Sequence, residues 1–407
     1  MKIIRRRRWE RWLYVLPAVA LLGGYGYWSL KRPLPPLNPD QPLVRLQAQT
    51  PASKLAWPAA GQSAVGVVGS PILETHGTQA PAAIASTAKI ITALTVLHAK
   101  PLALREQGPA ITLSASDAAL YDSYVAQGGS VVRVNAGEQI SEYQMLQAML
   151  LPSANNIADS LAVWAFGSLP DYAAAANSYL AQAGLTHTHV GTDASGFAPS
   201  TTGTAGDLAR LGELAMQDPA LAQIAGQTTA SGIPVVDSVK NVNFLLGTDN
   251  IIGIKTGNTD QAGGVFVSAA RATVNGKPVI IVTALVGSPT LFQALKDSLP
   301  LIQSAQANFK PAIVITNGAI VGRYRQPWGG SVTAVAAKNL AVNTWGGSVI
   351  SSTIQLQPVP ATAQAGQTAG TVTTPKSSLY GQQSIPVKLQ TSPTKPSVWW
   401  RLAHPIR

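Results

Sequence analysis

A block of predicted helices that interrupts a set of predicted strands is the feature that most constrains the fold of this chain. Short apolar runs bounded by turn residues predict strands both before and after the block. Apolar residues at helical spacing predict the helices. The predicted strands cover 64–68, 72–74, 251–255, 264–271 and 279–286, and the predicted helices cover 139–151, 157–166, 171–183, 205–217 and 291–305. The pattern indicates an α+β domain at 59–308 that an all-helical lobe splits.

A second, all-β domain is predicted at 309–392. Beyond Lys310-Pro311, short alternating runs are separated by Gly, Pro and Asn, which is typical of closely spaced strands and turns. A domain of this size with short strands is expected to be a sandwich. The predicted strands cover 312–316, 320–325, 331–335, 353–357 and 384–389.

The last segment, 393–407, is predicted to be a tail. Its Trp399 and Trp400 are expected either to reach a membrane surface or to pack on the β domain. Pro396 and Pro405 leave too little room for a long amphipathic helix between them.

An apolar stretch near the N-terminus predicts a membrane anchor. Residues 12–30 carry no charge, and at 1.5 Å per residue these 19 residues extend over about 28 Å, close to the hydrocarbon thickness of a bilayer. Because the basic cluster Arg5–Arg8 precedes the stretch, 1–32 is expected to form a single-pass anchor with its N-terminus inside. A cleaved signal peptide is the alternative, but no clean small-residue cleavage site follows. The proline-rich segment 33–58 is expected to be a spacer.

Composition excludes several classes of function. The chain has no cysteine, which rules out disulfides, thiolate catalysis and cysteine-ligated metals. Its net charge of +11 comes without a stripe of basic and aromatic residues, so attraction to an anionic membrane or wall polymer explains the charge better than nucleic-acid binding. His187 and His189 lack the further ligands that a metal site needs. We expect no cofactor, no metal and no nucleic acid.

Three short polar motifs lie on three different predicted elements. Ser86 and Lys89 are one turn apart at the start of an apolar helix, so that the hydroxyl and the amine share a face. Ser153 and Asn155 form a Ser-x-Asn between two helices, 67 residues after Ser86. Lys255 begins a Lys-Thr-Gly on a strand, a further 102 residues on. Each motif alone fits a helix cap or an exposed residue, but together they have the order that one class of serine acyl-transferases requires.

The sequence around these motifs resembles the D-alanyl-D-alanine carboxypeptidases, the low-molecular-mass penicillin-binding proteins. The resemblance extends from about residue 44 to residue 305, and it depends most on 83–94, 150–156 and 253–263. It is looser over 365–389, which is similar to the C-terminal β domain of that family. The resemblance implies the penicillin-binding or β-lactamase-like transpeptidase fold, in which an antiparallel sheet has flanking helices and an all-helical lobe.

The resemblance also implies a catalytic role for four residues. Ser86 would attack the carbonyl of a terminal D-Ala-D-Ala bond. Lys89 would be the general base, with a pKa depressed by burial and by the nearby cation Lys255. Ser153 would relay the proton to the leaving amine, and Asn155 would hold Lys89 and the substrate amide.

Substrate binding is implied for the strand that carries the third motif. A lysine and the hydroxyl after it would bind the substrate carboxylate, and the glycine would let the strand approach the substrate. The backbone N–H groups of Ser86 and Asn258 would form the oxyanion hole. The implied substrate-binding residues are Lys255, Thr256, Gly257, Asn258 and Thr259.

The activity that the resemblance implies is removal of the terminal D-Ala from peptidoglycan stem pentapeptides, with β-lactams as covalent inhibitors. The enzyme would act outside the bacterial cytoplasmic membrane. A DD-endopeptidase, a transpeptidase and a catalytically silent wall-binding relative stay open as alternatives. Residues 286–290 lack an arginine that members often carry there, which leaves the substrate preference open. A class A β-lactamase is disfavoured because Glu213, the sole glutamate after Asn155, lacks the required Glu-x-x-x-Asn spacing.

Overall fold

The structure, a computed structural model, describes residues 9–404. The basic cluster Arg5–Arg8 of the predicted anchor lies outside the described residues. Short 3-10 turns cover Ala85–Thr87 and Thr248–Asn250. The helices in the described range are α1 (Trp9–Lys31), α2 (Ala88–Ala99), α3 (Ala115–Ala126), α4 (Glu142–Leu150), α5 (Asn155–Phe166), α6 (Leu169–Gln182), α7 (Ala205–Gln217), α8 (Pro219–Ala225), α9 (Leu291–Gln306) and α10 (Val398–Ala403).

Strands lie on both sides of the helical stretch. They are β1 (Leu43–Gln49), β2 (Gln62–Val67), β3 (Leu73–His76), β4 (Ala82–Ala83), β5 (Ala110–Thr112), β6 (Gln139–Ser141), β7 (Thr202–Gly203), β8 (Thr229–Ile233), β9 (Asp237–Lys240), β10 (Ile251–Thr259), β11 (Gly263–Val274), β12 (Lys277–Ser288), β13 (Phe309–Ile315), β14 (Ile320–Arg325), β15 (Ser331–Ala336), β16 (Leu340–Trp345), β17 (Val349–Leu356), β18 (Thr368–Thr373) and β19 (Ser384–Leu389).

The chain divides into two compact units. The first contains 51–310 together with the short segment 343–346. The second contains the other described residues, from both ends of the chain. Along the described residues, the chain therefore passes from the second unit into the first and then back into the second.

A five-stranded antiparallel sheet forms the framework of the first unit. Its strand order is β10-β11-β12-β2-β3, so strands from before and after the helical stretch meet at the β12–β2 pair. In that pair Ala284 lies opposite Ala64, and in the β10–β11 pair Lys255 lies opposite Val267. Strands β11 and β12 are joined by a turn at Asn275 and Gly276, both with positive φ. Strand β10, which carries the Lys-Thr-Gly, is an edge of the sheet.

Helices α4, α5, α6 and α7 pack around α2. This helix is buried on every side from Ala88 to Leu97, and Ile90, Ile91 and Val96 are among its fully buried residues, as expected for a helix in the centre of a domain. Helix α7 lies against the sheet, where Gly212 leaves room for Val282 and Val267. Helix α9 packs on β11 and β12 through its own buried stripe. The predicted α+β fold with an antiparallel sheet and a helical lobe is confirmed.

Helix boundaries differ modestly from the predictions. The helix predicted at 139–151, for example, is α4 at Glu142–Leu150. The twelve-residue helix α3 begins with a reciprocal capping box between Ser114 and Asp117. Ser141 caps α4, again with a capping box. These caps satisfy backbone N–H groups that would otherwise lack partners at the helix start.

The second unit contains a six-stranded antiparallel sheet with the order β1-β17-β18-β19-β15-β14. The prediction that 33–58 is only a spacer is wrong for 43–49, because Leu43–Gln49 pairs with β17 as an edge strand. The prolines before this segment suggested an isolated extended chain, whereas its partner strand lies some 300 residues later and leaves no local signal. Strands β16 and β18 were not predicted either.

The two ends of the second unit meet where α1 ends. The Tyr25 hydroxyl donates to the Leu402 carbonyl at 2.5 Å, and Arg401 Nη1 donates to the Leu30 carbonyl at 2.8 Å. Helix α10 fits between the two tail prolines because it has only six residues. Of its two tryptophans, Trp400 packs edge-on against Trp328 at 5.5 Å, whereas Trp399 is 81% exposed.

Candidate active site

Ser86 lies in the 3-10 turn that leads into α2. Its neighbour Ala85 has a φ of 46°, a left-handed conformation that turns the chain sharply before the helix. The side chain of Ser86 is half-buried, and its Oγ accepts a hydrogen bond from Lys89 Nζ at 2.9 Å. The one-turn spacing of the first motif therefore brings the hydroxyl and the amine into contact.

Lys89 is fully buried and makes three hydrogen bonds. Besides Ser86 Oγ, its Nζ contacts Asn155 Oδ1 at 2.7 Å and the Ser195 carbonyl at 3.0 Å. Burial lowers the pKa of Lys89 from 10.5 to about 7, although the negative charges of Asp193 and Asp159 oppose this. At neutral pH a large part of this lysine is therefore the free amine, which can accept a proton.

The Ser-x-Asn motif begins α5. Ser153 is buried and has a φ of 67°, so the loop reverses there before the helix starts at Asn155. The Asn155 N–H donates to the Ser130 carbonyl at 2.7 Å. Gly129 leaves room for the side-chain amide of Asn155, because a Cβ at residue 129 would lie only 2.7 Å from Asn155 Nδ2. Asn155 thus reaches Lys89, while the Ser153 hydroxyl has no hydrogen-bond partner within residues 9–404.

Strand β10 lies against the turn that carries Ser86. A Cβ on Gly257 would lie 3.1 Å from the Ser86 backbone nitrogen and 3.1 Å from the Ile84 carbonyl oxygen. This close approach explains why the third residue of the Lys-Thr-Gly has no side chain. Both other motifs therefore lie close to Ser86. The Ser-x-Asn motif contacts Lys89 through Asn155, and the Lys-Thr-Gly lies against the Ser86 backbone through Gly257.

Lys255 is buried on the same strand, and its Nζ donates to the Thr256 carbonyl at 3.0 Å. Burial, and then the nearby charge of Lys89, lower the pKa of Lys255 well below its ordinary value. Burial is the main cause of the lowered Lys89 pKa, as expected. The charges of the two lysines also repel each other, and this repulsion contributes to the lowered pKa of Lys255.

The other predicted binding residues lie along β10. Thr256 is buried, and Asn258 is exposed. Thr259 is half-buried, and its Oγ1 accepts a hydrogen bond from the Ala262 N–H at 3.1 Å. This hydroxyl therefore stabilises the turn between β10 and β11.

Two buried acids near Lys89 are absent from the predicted site. Asp159 lies on α5 one turn after Asn155, and Asp193 lies in the loop that supplies the Ser195 carbonyl. The Asp193 carboxylate accepts the Ser195 N–H at 2.7 Å and the Ala198 N–H at 2.9 Å. The spacing of Asp159 from Asn155 places both on one face of a helix, and this signal could have identified Asp159 from the sequence.

Comparison with known protein families decides the classification. The model of the peptidase S11 family, described as D-alanyl-D-alanine carboxypeptidase, matches residues 60–286, which is more than half of the chain. The chain belongs to this family. All three motifs of the D-alanyl-D-alanine carboxypeptidase family lie within the matched residues, so the resemblance that they indicated is confirmed.

Curated family members are similar to about half of the chain. The chain is 26% identical to the D-alanyl-D-alanine carboxypeptidase DacD of Salmonella typhimurium over 210 residues, 51% of this chain and 53% of that protein. It is 31% identical to a D-alanyl-D-alanine endopeptidase of Pseudomonas aeruginosa over 236 residues, 56% of this chain and 72% of that protein. The chain thus spans about half the length of the first of these relatives.

Solved structures share the fold. Penicillin binding protein 5 of Haemophilus influenzae has a TM-score of 0.56 at 21% identity, over 83% of this chain and 98% of that one. The Streptomyces K15 DD-transpeptidase has a TM-score of 0.53 at 21% identity, over 63% of this chain and 98% of that one. The predicted penicillin-binding transpeptidase fold is confirmed.

Proposed function

We propose that this protein is a serine D-alanyl-D-alanine carboxypeptidase that removes the terminal D-Ala from peptidoglycan stem pentapeptides. The observation that supports this most is the 2.9 Å contact between Ser86 Oγ and the buried Nζ of Lys89, whose pKa of about 7 suits a general base. A base whose pKa lies near the working pH combines a useful unprotonated fraction with adequate proton affinity.

Acylation follows from this contact. As Ser86 Oγ attacks the carbonyl carbon of the D-Ala-D-Ala bond, its proton passes to Lys89 Nζ. The C–N bond then breaks, and the proton passes to the leaving amine through the Ser153 hydroxyl, which is free to turn toward it. D-Alanine leaves, and the rest of the stem peptide stays as an ester of Ser86.

The backbone beside Ser86 would stabilise the oxyanion. The N–H groups of Ser86 and Asn258 belong to segments that Gly257 brings within van der Waals reach of one another. Two N–H groups aimed at the carbonyl oxygen would stabilise the charge that develops during attack. The side-chain amide of Asn155 would hold the substrate amide next to Lys89.

Recognition of the substrate carboxylate would involve Lys255, Thr256 and the neighbouring Thr259. Lys255 is buried beside another lysine, which makes its charge costly in the free enzyme. A carboxylate that binds nearby would stabilise the charged form and so raise the pKa of Lys255. Deacylation would then follow when Lys89 activates a water that attacks the ester, and the proton returns to Ser86 Oγ.

A labelled penicillin tests the nucleophile. The wild type is expected to form an adduct that survives denaturation, since the β-lactam carbonyl acylates the same oxygen. Ser86→Ala should form none. Equal labelling of both proteins would refute the mechanism, and an unlabelled wild type would favour the catalytically silent alternative.

Endopeptidase activity is the second candidate, because the Pseudomonas aeruginosa relative with that name is 31% identical and is covered over 72% of its length. Release of D-alanine from a pentapeptide should be compared with cleavage of a cross-linked peptide dimer by the same preparation. We expect the pentapeptide to be the better substrate. Faster cleavage of the dimer would assign the endopeptidase activity instead, and ligation of an added amine would assign a transpeptidase.

We further propose that α1 anchors the protein in the bacterial cytoplasmic membrane, with the catalytic unit outside. The stretch Trp12–Lys31 is long and apolar enough to cross a bilayer, and almost none of it is buried against the protein. Protease added to intact spheroplasts should remove the catalytic unit, whereas complete protection would refute this orientation. Partners would be stem peptides, β-lactams and the membrane.

A further inference from the structure

A buried carboxylate outside the three motifs lies beside the lysine of the active site. Asp159 is only 2% exposed, and both of its oxygens are engaged. Oδ2 accepts a hydrogen bond from the Tyr124 hydroxyl at 2.6 Å, and Oδ1 accepts one from the Ala194 N–H at 2.9 Å. Asp159 thus joins three segments: α3, α5 and the loop that contains Ala194.

That loop, 192–198, holds Lys89 in place. The Ser195 carbonyl accepts a hydrogen bond from Lys89 Nζ at 3.0 Å. One turn after Lys89, the Thr92 hydroxyl donates to the Ala194 carbonyl at 2.6 Å. Ala194 is therefore held at both of its backbone groups: its carbonyl by Thr92 of α2 and its N–H by Asp159.

The loop also packs directly against the nucleophile turn. A Cβ on Gly196 would collide with the Ala85 carbonyl oxygen and with the Ala88 side chain. Phe197 packs edge-on against the Tyr124 ring, with centroids 5.6 Å apart. A displacement of the loop would therefore reach the Ser86 turn and the Ser195 carbonyl together.

Asp193, the acid within the loop, has a different role. Asp193 uses its oxygens for N–H groups of its own loop, including those of Ser195 and Ala198. It shapes the loop, but its side-chain hydrogen bonds stay within it. Among the described residues, Asp159 is the carboxylate that ties the loop to the helix carrying Asn155.

We propose that Asp159 is a positioning residue for acylation, which holds the 192–198 loop and its Ser195 carbonyl against Lys89 and places a negative charge beside that lysine. The inference rests on the proposed function, because it concerns the same base. It predicts two effects of losing Asp159: a less well oriented Lys89, and a Lys89 whose ammonium form is less stabilised.

The charges around this pair determine the sign of the second effect. Lys89 faces Asp159, Asp193 and the cation Lys255, and Asp159 faces Tyr124, Asp193 and Lys89. Burial raises the pKa of Asp159 to about 6, so it is mostly ionised at neutral pH and there raises the pKa of Lys89. Removing its charge should lower the pKa of Lys89 and shift its titration to lower pH.

The experiment measures the rate of acylation by a labelled penicillin from pH 5 to pH 9. The variant Asp159→Asn keeps the size of the side chain and still can pair with Ala194 and Tyr124. We expect its acid limb, where the rate rises as Lys89 loses its proton, to move at least ~0.5 pH unit lower than in the wild type. The control Asp122→Asn removes an exposed acid from α3 and should leave the limb in place.

A second variant covers a failure of Asp159→Asn to fold. Tyr124→Phe removes one donor to the carboxylate and keeps the ring, so Asp159 is protonated more readily and the limb should move in the same direction, but less. A limb that stays at its wild-type position in the folded variants overturns the inference, even if rates fall. A wild type that is not labelled at all would overturn both this inference and the proposed function.

Discussion

The substitution Asn155→Asp tests the assignment of Lys89 as base most directly. It replaces an amide oxygen 2.7 Å from Lys89 Nζ by a carboxylate oxygen, with almost no change of shape. An opposite charge this close favours the ammonium and raises a lysine pKa by about 1–3 units. The pKa of Lys89 should therefore rise from about 7 to roughly 8–10.

The loss of rate follows from the fraction of free amine. At pH 7 about half of Lys89 is unprotonated in the wild type, whereas between roughly a tenth and a thousandth is unprotonated in the variant. Acylation by a labelled penicillin at pH 7 should thus fall about 5- to 500-fold. Because the free amine returns above the new pKa, much of the rate should return at pH 9–10.

The recovery at alkaline pH distinguishes this mechanism from the loss of a substrate contact. Asn155→Ala removes the same oxygen without adding charge, so its loss of rate should have nearly the same size at every pH. If the acid limb of Asn155→Asp coincides with that of the wild type, or if its loss does not depend on pH, Lys89 is not the base that titrates.

Two further predictions concern packing and stability. Gly257→Ala places a methyl group about 3.1 Å from the Ser86 backbone nitrogen, so the rate of acylation should fall roughly 10- to 100-fold with little change of melting temperature. The control Gly206→Ala, where the nearest atoms are 3.5 Å away, should be acylated at the wild-type rate. Burial raises the pKa of Glu142 from 4.5 to about 7, so its charge destabilises the folded state increasingly as pH rises through that interval. Glu142→Gln should therefore add about 1–3 kcal/mol in urea unfolding at pH 8 and little at pH 4.5, whereas an unchanged difference between the two pH values would contradict the assignment.

The sequence was sufficient to predict contacts that depend on local spacing. Ser86 and Lys89 are three residues apart where the 3-10 turn leads into α2, and the structure has them in hydrogen-bond contact. The contact between Asn155 and Lys89 was expected from the family resemblance, not from spacing, and it is present at 2.7 Å. For each of these residues a short motif identified both the residue and the element that positions it.

The contacts that were missed join distant segments that no motif marks. Strand β1 was predicted as part of a spacer because its partner β17 lies far along the chain. The loop 192–198 was not assigned to the site because its contribution to Lys89 is a backbone carbonyl, which any residue supplies. Only the tertiary structure can reveal such a group.

The opposing influences on the Lys89 pKa show what the site requires of its surroundings. Complete burial by itself lowers the pKa of a lysine by several units and makes it a weaker base. The two acids oppose that effect, so that the pKa of Lys89 settles at about 7. A general base works best when its pKa lies near the working pH, because a lower value weakens its pull on the serine proton and a higher one leaves it protonated. Asp159 and Asp193 therefore preserve the strength of a base that burial has made available, and losing either should cost proton affinity even where more free amine is present.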